Sequence, residues 1–347
     1  MDVKPLLEFT ENDIEAMKKS AFALHGAGPY HHPAWIFGCE EGYGHRGYLV
    51  FERDEKDGSF LGLLPLVHIK PPFTQGELVS LPFCDYGGPV ARNHEVLEGL
   101  LSTAQAFSED LGARLEIRTK VELKVGPKGL HPNRSKVRLV LELREKEPEA
   151  LLMSFKSKLR SQIRRPQKAG CEAILGGLEL LDDFYRIFSI KMHELGSPVH
   201  SKAFFHAIFR RGDPEWYRIV LVKKENETIS ASVILFSGET ATVPWAASLR
   251  EFNRLSPNML LYWTMLSVSV EKGRKWFDFG RSTPGSGTYR FKEQWGARPV
   301  PLYWYSPKVE SKKAGSGLRP IVENVWKRLP LDLVNFIGPK IRRFISL

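Results

Sequence analysis

Residues 277–297 have the sequence FDFGRSTPGSGTYRFKEQWGA. This segment combines side chains that can bind an anion with a backbone that can come close to it. An apolar strand leads into a loop of glycine, serine and proline, and an aromatic segment follows. Glycine allows the backbone to come close to a ligand. Lys292 follows Phe291, and a cation beside aromatic walls stabilises negative charge on a phosphate or a tetrahedral oxyanion. The alternative from the residues alone is a hairpin turn with a solvated lysine.

Three further positions carry side chains suited to proton transfer or ligand contact. Asp85 begins an Asp-Tyr-Gly-Gly loop after a strand and is a candidate base for an incoming amine, with a turn that caps the strand as the alternative. His200 is a candidate acid or base on a loop, although a helix cap at Ser201 also explains that segment. Trp245 is either a wall of an acyl pocket or a core residue.

A cluster of cations lies on a helix predicted at 149–165, which Pro166 is expected to end. Lys156, Arg160 and Arg164 follow i, i+4, i+8 spacing and therefore share one helical face. From residue 156 to residue 168 there are six cations and no acid. Such a face can bind a diphosphate or a nucleic-acid backbone, and the alternative is a solvated connecting helix.

The elements that position these residues recur in a similar order along the chain. The first set is a helix at 10–25, a hairpin at 47–54 and 60–70, a strand at 77–90, a helix at 94–111, and strands at 113–119 and 136–143. The second set is a helix at 149–165, a strand at 171–175, helices at 178–195 and 201–211, a hairpin at 216–224 and 227–236, a strand at 239–247, a helix at 257–272, and strands at 275–280 and 300–306. The recurrence predicts two α/β units, 1–148 and 149–306, followed by a linker at 307–318.

Several motifs resemble those of one protein family. Residues 289–296, YRFKEQWG, resemble the Phe-Lys-x-x-Phe/Trp-Gly element of the FemAB peptidoglycan-bridge aminoacyltransferases. Residues 155–165 and 256–263 resemble two helices of that family. Residues 31–35 (HHPAW) and 81–88 (LPFCDYGG) resemble its branch associated with exosortase/PEP-CTERM exopolysaccharide systems, and CelD-type acetyltransferases are similar too. The resemblance covers about residues 15–306.

The resemblance implies an α/β fold of two tandem GNAT-like acyltransferase domains with mixed sheets and a short cationic helical tail. It implies transfer of an acyl or aminoacyl group to an amine or hydroxyl of a cell-envelope glycan, peptidoglycan or exopolysaccharide precursor. The co-substrate is acyl-CoA or an aminoacyl-tRNA, with no permanently bound cofactor. In this interpretation Lys292 stabilises charge at the donor, Arg281 and Asn258 hold the donor, and Asp85 accepts a proton. The remaining contacts to donor or acceptor are assigned to Tyr86, Lys156, Arg160, Arg164, His200, Trp245, Tyr289 and Phe291.

Composition limits the partners of the chain. Its 347 residues carry a formal net charge of +10, which suits an anionic partner such as a CoA, a tRNA, a sugar nucleotide, a lipid-linked precursor or a lipid surface. Residues 307–347 contain nine Lys and Arg and three acids, so the tail holds +6 of this charge and DNA binding is not expected. Three separated cysteines favour a reducing cytoplasm and no metal site. The start of the chain does not resemble a signal peptide, and P-loop, Gly-x-Ser-x-Gly and complete dinucleotide motifs are absent.

The last segment, 319–347, combines apolar residues with a cluster of cations and is interrupted by Pro330 and Pro339. Its helices are too short and too charged to span a bilayer. One interpretation is an amphipathic anchor in the headgroup layer, and the other is that the apolar side packs on the protein itself. A non-catalytic membrane-associated scaffold for polysaccharide assembly is therefore the alternative to an enzyme.

Overall fold

The computed structural model describes residues 1–124, 126–307 and 319–346, without the side chains of 319–321. The predicted linker at 307–318 lies outside the described residues except for residue 307. Up to residue 133 the elements are β1 (Asp2–Pro5), α1 (Glu11–Ala23), α2 (Pro33–Tyr43), β2 (Arg46–Arg53), β3 (Phe60–Ile69), β4 (Glu77–Val79), β5 (Val90–Ala91), α3 (His94–Asp110), β6 (Arg114–Thr119) and β7 (Leu130–Asn133). The next elements are β8 (Val137–Glu142), α4 (Pro148–Ser154), α5 (Ser157–Lys168), β9 (Cys171–Gly176), α6 (Leu181–Leu195), α7 (Lys202–Arg211), β10 (Tyr217–Lys224), β11 (Glu227–Ser237) and β12 (Thr240–Ser248). The last are α8 (Pro257–Glu271), β13 (Trp276–Ser282), α9 (Gly287–Glu293), β14 (Arg298–Pro301), β15 (Tyr303–Pro307), α10 (Arg319–Trp326) and α11 (Leu331–Arg342).

The strands form two mixed sheets. The first has the order β1-β2-β3-β4-β6-β15-β7 with β5 beside β3, and the second has the order β14-β8-β13-β12-β11-β10-β9. Each sheet contains one parallel pair, β4 with β6 and β12 with β13, and each of these pairs is in register over three residues. The loop after β4 begins directly after its parallel pair, whereas β12 continues to Ser248 beyond its own pair with β13. The predicted mixed α/β architecture is confirmed.

The two sheets exchange strands. β8 comes before the second set of elements in the chain yet pairs with β13 and β14, and β15 ends that set yet pairs with β6 and β7. This exchange connects the sheets covalently in both directions. The boundary between units at residue 148 stays a prediction.

One apolar core extends across both halves of the chain. It contains residues from α1 and α2 together with residues from α6, α7, β10 and β11. Helices α2 and α7 approach closely because Gly42 has no side chain; a Cβ there would lie 2.4 Å from the Cα of Phe204. Trp35 on α2 stacks on Trp245 of β12, with ring centroids 5.2 Å apart. These contacts fix the position of the two sheets on either side of the space between them.

Two predictions about one helix are wrong, and two other helices were not predicted. The helix predicted at 149–165 is two helices, because Phe155 and Lys156 are extended, and Pro166 lies inside α5 rather than ending it. Helix α2 was not predicted, because its residues are buried on nearly all sides and show no amphipathic period. The aromatic segment after the glycine loop is the helix α9, with Ser286 as its N-cap.

The tail packs on the body of the protein. Trp326 and Val334 are buried, and a Cβ at Gly338 would lie 3.2 Å from the backbone nitrogen of Val199. His45 Nε2 lies 2.9 Å from the carbonyl oxygen of Arg343. Among the described residues, none of the helices has both the length and the apolar character that crossing a bilayer requires.

Candidate active site

A cavity of about 910 Å³ lies where the two sheets and the tail meet. The loop after β4, strands β12 and β13, the loop before α7 and helices α10 and α11 all contribute to its wall. Four residues predicted from the sequence line it: Asp85, His200, Trp245 and Arg281. Residues more than 190 positions apart in sequence therefore share one concave surface, which is the usual form of a small-molecule site.

Asp85 and Arg281 connect the two sheets at this cavity. The Asp85 Oδ2 accepts a hydrogen bond of 2.9 Å from the backbone N–H of Arg281, and its Oδ1 lies 3.4 Å from Nε of the same residue. The indole Nε1 of Trp304 donates to the Asp85 carbonyl oxygen at 3.0 Å, and the Arg281 guanidinium lies 5.1 Å from the centre of the Trp304 ring. The Asp85 side chain remains 14% exposed, so a carboxylate that two contacts with Arg281 orient is accessible from the cavity.

A bulge in β13 sets the direction of Arg281. The pairing of β13 with β8 shifts by one residue between Asp278 and Arg281, and Gly280 in the bulge has a φ of +75°. Only glycine fits there, because a Cβ would lie 2.7 Å from the carbonyl oxygen of Val243. The Gly280 N–H donates to Asp278 Oδ1 at 2.9 Å, which fixes the bulge from within the sheet.

Lys292 supports the same bulge from α9. Its ammonium donates to the carbonyl oxygens of Gly280 and Arg281, both at 2.9 Å. The side chain is 8% exposed, and Lys292 is not among the described residues that line the cavity. Burial lowers the pKa of Lys292 to about 8, although the carboxylates of Asp85 and Asp278 act in the opposite direction. The structure therefore places Lys292 behind the wall that carries Arg281.

A buried polar group lies beneath the bulge. Asp278 is fully buried and its Oδ2 lies 3.1 Å from Nη1 of Arg138; burial raises the pKa of Asp278 and the guanidinium limits that rise. Tyr86 is also buried, and burial raises its pKa well above the ordinary value. Tyr86 does not line the large cavity but a separate one of about 330 Å³, together with Lys120. Lys120 donates to the carbonyl oxygen of Ala27.

His200 is a neutral, fully partnered imidazole. Arg342 Nε lies 3.2 Å from its Nε2, and because arginine only donates, the ring proton is assigned to Nδ1, which lies 2.7 Å from the Tyr43 hydroxyl. The backbone N–H of Ser201 donates to the same hydroxyl at 3.0 Å. Burial and then the charge of Arg342 hold the pKa of His200 well below its usual range. His200 thus orders the cavity wall, beside Trp245.

The other predicted residues lie away from the cavity. Asn258 is in the first turn of α8, and Tyr289 and Phe291 of α9 pack on the apolar core of the second sheet. Lys156 and Arg164 are exposed on and before α5. Arg160 Nη1 donates to the carbonyl oxygens of Met153 and Phe155 at 3.3 and 2.6 Å, so it satisfies the C-terminus of α4.

Two further arginines were not among the predicted residues: Arg342, which lines the cavity, and Arg118, which is buried behind the loop that carries Asp85. Arg118 of β6 is completely buried, with Nε 2.6 Å from Glu116 Oε1 and its guanidinium 4.7 Å from the centre of the Trp304 ring. Arg342 of α11 lines the cavity. Arg118 shares its face of β6 with Arg114 and Glu116, so no sequence pattern indicated that it is buried, and Arg342 was considered only as one cation of a basic tail.

Comparison with known proteins identifies the fold. Residues 153–293 match the family model for an acetyltransferase (GNAT) domain. No curated protein sequence matches the chain. The crystal structure of FemX superposes with a TM-score of 0.64 at 16% identity and covers 93% of this chain and 100% of FemX.

Two further solved structures are similar over most of their length. The C-terminal domain of a chain assigned as a lysylphosphatidylglycerol synthetase from Agrobacterium fabrum gives a TM-score of 0.58 at 12% identity, with 90% of this chain and 96% of that domain covered. A tandem GNAT protein from the clavulanic acid biosynthesis pathway gives 0.52 at 12% identity, with 89% and 99% covered. Identities this low establish the fold alone. The predicted FemAB-like tandem GNAT fold is confirmed, and residues 153–293 match a GNAT acetyltransferase domain.

Proposed function

We propose that the protein transfers an acyl or aminoacyl group to an amine or hydroxyl of an anionic cell-envelope glycan, peptidoglycan or exopolysaccharide precursor. The observation that carries the proposal is the contact of Asp85 with Arg281 in a cavity that both sheets form. A carboxylate next to a cation, at the wall of a cavity large enough for two substrates, suits proton removal from an acceptor beside a negatively charged group.

The proposed reaction is direct attack. The lone pair of the acceptor nitrogen or oxygen forms a bond to the donor carbonyl carbon, the C–S or C–O bond to the donor breaks, and the leaving thiolate or alkoxide takes up the proton that Asp85 removed from the acceptor. Asp85 accepts the proton that the acceptor loses. Correct placement of the two substrates supplies much of the rate, on the order of 7–11 kcal/mol at best.

Lys292 acts, in this proposal, through the strand that it supports. Its two hydrogen bonds hold the carbonyl groups before and after the Cα of Arg281, and so fix the backbone N–H that orients Asp85. The direct contact of Lys292 with the donor, and the donor contacts of Asn258, Tyr289 and Phe291, stay predictions from the sequence. So do the acceptor contacts of Lys156, Arg160 and Arg164 on the surface near α5.

An acyl-CoA is the donor that the GNAT domain supports. An aminoacyl donor such as a charged tRNA is supported more weakly, by the likeness to a domain whose name denotes lysyl transfer to phosphatidylglycerol. A lipid-linked acceptor fits the tail, where Phe336, Val325 and Leu333 remain exposed although the helices pack on the body. We propose that the protein is cytoplasmic and acts in peripheral contact with the inner face of the cytoplasmic membrane.

A donor screen tests the proposal. A panel of acyl-CoA esters and a charged tRNA are each added to the full-length protein, and the shift of the melting temperature is measured together with the mass of any product formed with an envelope precursor. We expect one donor class to raise the melting temperature and to be consumed. Membrane or partner binding with no affinity for any donor favours the scaffold instead.

A further inference from the structure

The guanidinium of Arg342 is a partly buried cation at the cavity wall without a carboxylate partner among the described residues. The two neighbouring arginines are compensated, since Arg118 pairs with Glu116 and Arg281 pairs with Asp85. Burial lowers the pKa of Arg342 to about 10, and the charges of Arg281 and Arg118 contribute in the same direction. A buried cation without a partner costs folding free energy, which binding of an anion would offset.

Among the described residues, Arg342 uses only part of its hydrogen-bonding capacity. A guanidinium has five N–H donors. In the described structure one donates to His200 Nε2 at 3.2 Å and one to the carbonyl oxygen of Ile345 at 2.9 Å, which leaves three. Arg281 and Lys136 line the same cavity, so the cavity wall carries three cations.

Hydrogen bonds of Ser346 fix the end of the tail close to Arg342. The carbonyl oxygen of Ser346 accepts from Arg118 Nη1 at 2.7 Å and from the backbone N–H of Phe83 at 2.9 Å. The Ser346 hydroxyl accepts from Arg118 Nη2 at 2.9 Å. These bonds attach residues 343–346 to strand β6 and to the loop that carries Asp85, so Arg342 is fixed relative to the catalytic carboxylate.

We propose that Arg342, together with Arg281 and Lys136, binds a phosphate or diphosphate group of the acceptor, so that the tail is part of the substrate site. This inference rests on the proposed function in that it takes the large cavity as the site of transfer. It goes further by assigning to α11 a residue that selects phosphorylated acceptors. Arginine suits this role because its planar fork binds phosphate oxygens in pairs.

Inorganic pyrophosphate serves as the probe, titrated into the full-length protein by calorimetry. We expect one pyrophosphate to bind per chain, and Arg342→Gln to weaken that affinity at least tenfold, which corresponds to about 1.4 kcal/mol. Arg342→Lys keeps the charge but loses the fork and is expected to give an intermediate affinity. Arg328→Gln removes an exposed charge from the same tail and is the matched control, with unchanged affinity expected. The melting temperature of each variant is measured to verify that the tail remains packed.

The proposal is overturned if the wild-type protein does not bind pyrophosphate, if Arg342→Gln and Arg342→Lys both bind it as the wild type does, or if Arg328→Gln loses as much affinity as Arg342→Gln. Failure of the proposed function looks different. Pyrophosphate binding that depends on Arg342 without any acyl transfer would retain the anion site and remove the acyltransferase role. Acyl transfer together with a pyrophosphate affinity that does not depend on Arg342 would retain the acyltransferase role and remove the anion site.

Discussion

The ammonium of Lys292 lies 2.9 Å from the carbonyl oxygen of Arg281, whose backbone N–H donates to Asp85 at 2.9 Å. One residue of β13 is therefore held from both sides, by a lysine behind the sheet and by a carboxylate at the cavity. The bulge at Gly280 makes this possible, because it turns two carbonyl groups toward α9 and the N–H of Arg281 toward the loop after β4.

Lys292→Met is expected to reduce kcat on the order of 100-fold while the protein remains folded. The methionine fills the space of the lysine stem but cannot hold the two carbonyl groups, so Arg281 and Asp85 lose their fixed orientation. Steady-state kinetics and the melting temperature measure the two effects. Lys275→Met is the control, because Lys275 precedes β13 and is 65% exposed beside Glu239. An unaltered kcat in Lys292→Met removes the lysine from the mechanism.

The buried ammonium also predicts a pH dependence of stability. The pKa of Lys292 is about 8 in the folded protein and 10.5 as its ordinary value. Below pH 8 the group is charged in both states and the folded state bears the full cost of burial. Between pH 8 and pH 10.5 the folded protein releases this proton at a lower pH than the unfolded protein does. The free energy of unfolding of the wild type therefore rises with pH relative to that of Lys292→Met. Urea unfolding of both proteins at about pH 7 and about pH 9.5 should show a relative gain of about 2 kcal/mol; a difference that does not change with pH contradicts the burial of a charged lysine.

Gly280→Ala tests the close contact at the bulge. Gly280 and Gly285 have nearly equal φ values, +75° and +78°, but a Cβ meets the Val243 carbonyl oxygen at 2.7 Å only in the first case and meets nothing within 4 Å in the second. Gly285→Ala is expected to cost about 1 kcal/mol for the backbone conformation. Gly280→Ala is expected to cost about 2 kcal/mol more and to impair transfer. Equal unfolding free energies for the two variants would show that the contact at Gly280 does not constrain the strand.

Membrane association through the tail is tested at Phe336. This side chain is 65% exposed on α11, with the Lys340 ammonium 3.7 Å from the centre of its ring. Phe336→Asp is expected to reduce co-sedimentation with vesicles of anionic lipid at least several-fold, because it puts a charge into the apolar face. Phe73→Asp is the control, since Phe73 is the most exposed phenylalanine outside the tail. If the two substitutions have the same effect, or neither has one, the tail does not mediate membrane binding.

The sequence predicted which segments contribute to the site, but it did not predict how these segments contact one another. The strand before Arg281 and the loop at Asp85 were predicted because each has a local signal, an apolar run followed by glycines or by an Asp-Tyr-Gly-Gly turn. Their contact joins positions 196 residues apart, and no local pattern encodes it. The predicted role for Lys292 came from its neighbours in sequence, whereas its hydrogen bonds depend on the helix α9 and the bulge, which were not predicted.

The break between α4 and α5 illustrates a second limit. Leu152, Phe155, Leu159 and Ile163 keep a helical spacing across the break, so the apolar period indicates one continuous helix. Two extended residues, Phe155 and Lys156, instead separate the two helices, and Arg160 donates to the carbonyl groups that the break exposes. The apolar pattern thus predicted correctly which face is buried, but it predicted one continuous helix where the backbone forms two. The part of the tail in the site was missed for a related reason, since an amphipathic segment fits a membrane surface and a protein surface equally well.

The transfer rate of Asp85→Asn is the most direct test of the proposed site. The amide oxygen still accepts from the Arg281 N–H, so the loop keeps its place, but the side chain no longer accepts a proton from the acceptor. With acyl-CoA as donor we expect kcat/KM to fall at least about 100-fold at an unchanged melting temperature, because general base catalysis contributes about 10²–10⁴-fold. Asp110→Asn, an exposed carboxylate at the end of α3, should retain the full rate. An Asp85→Asn protein as active as the wild type would contradict the assignment of this cavity as the site of transfer.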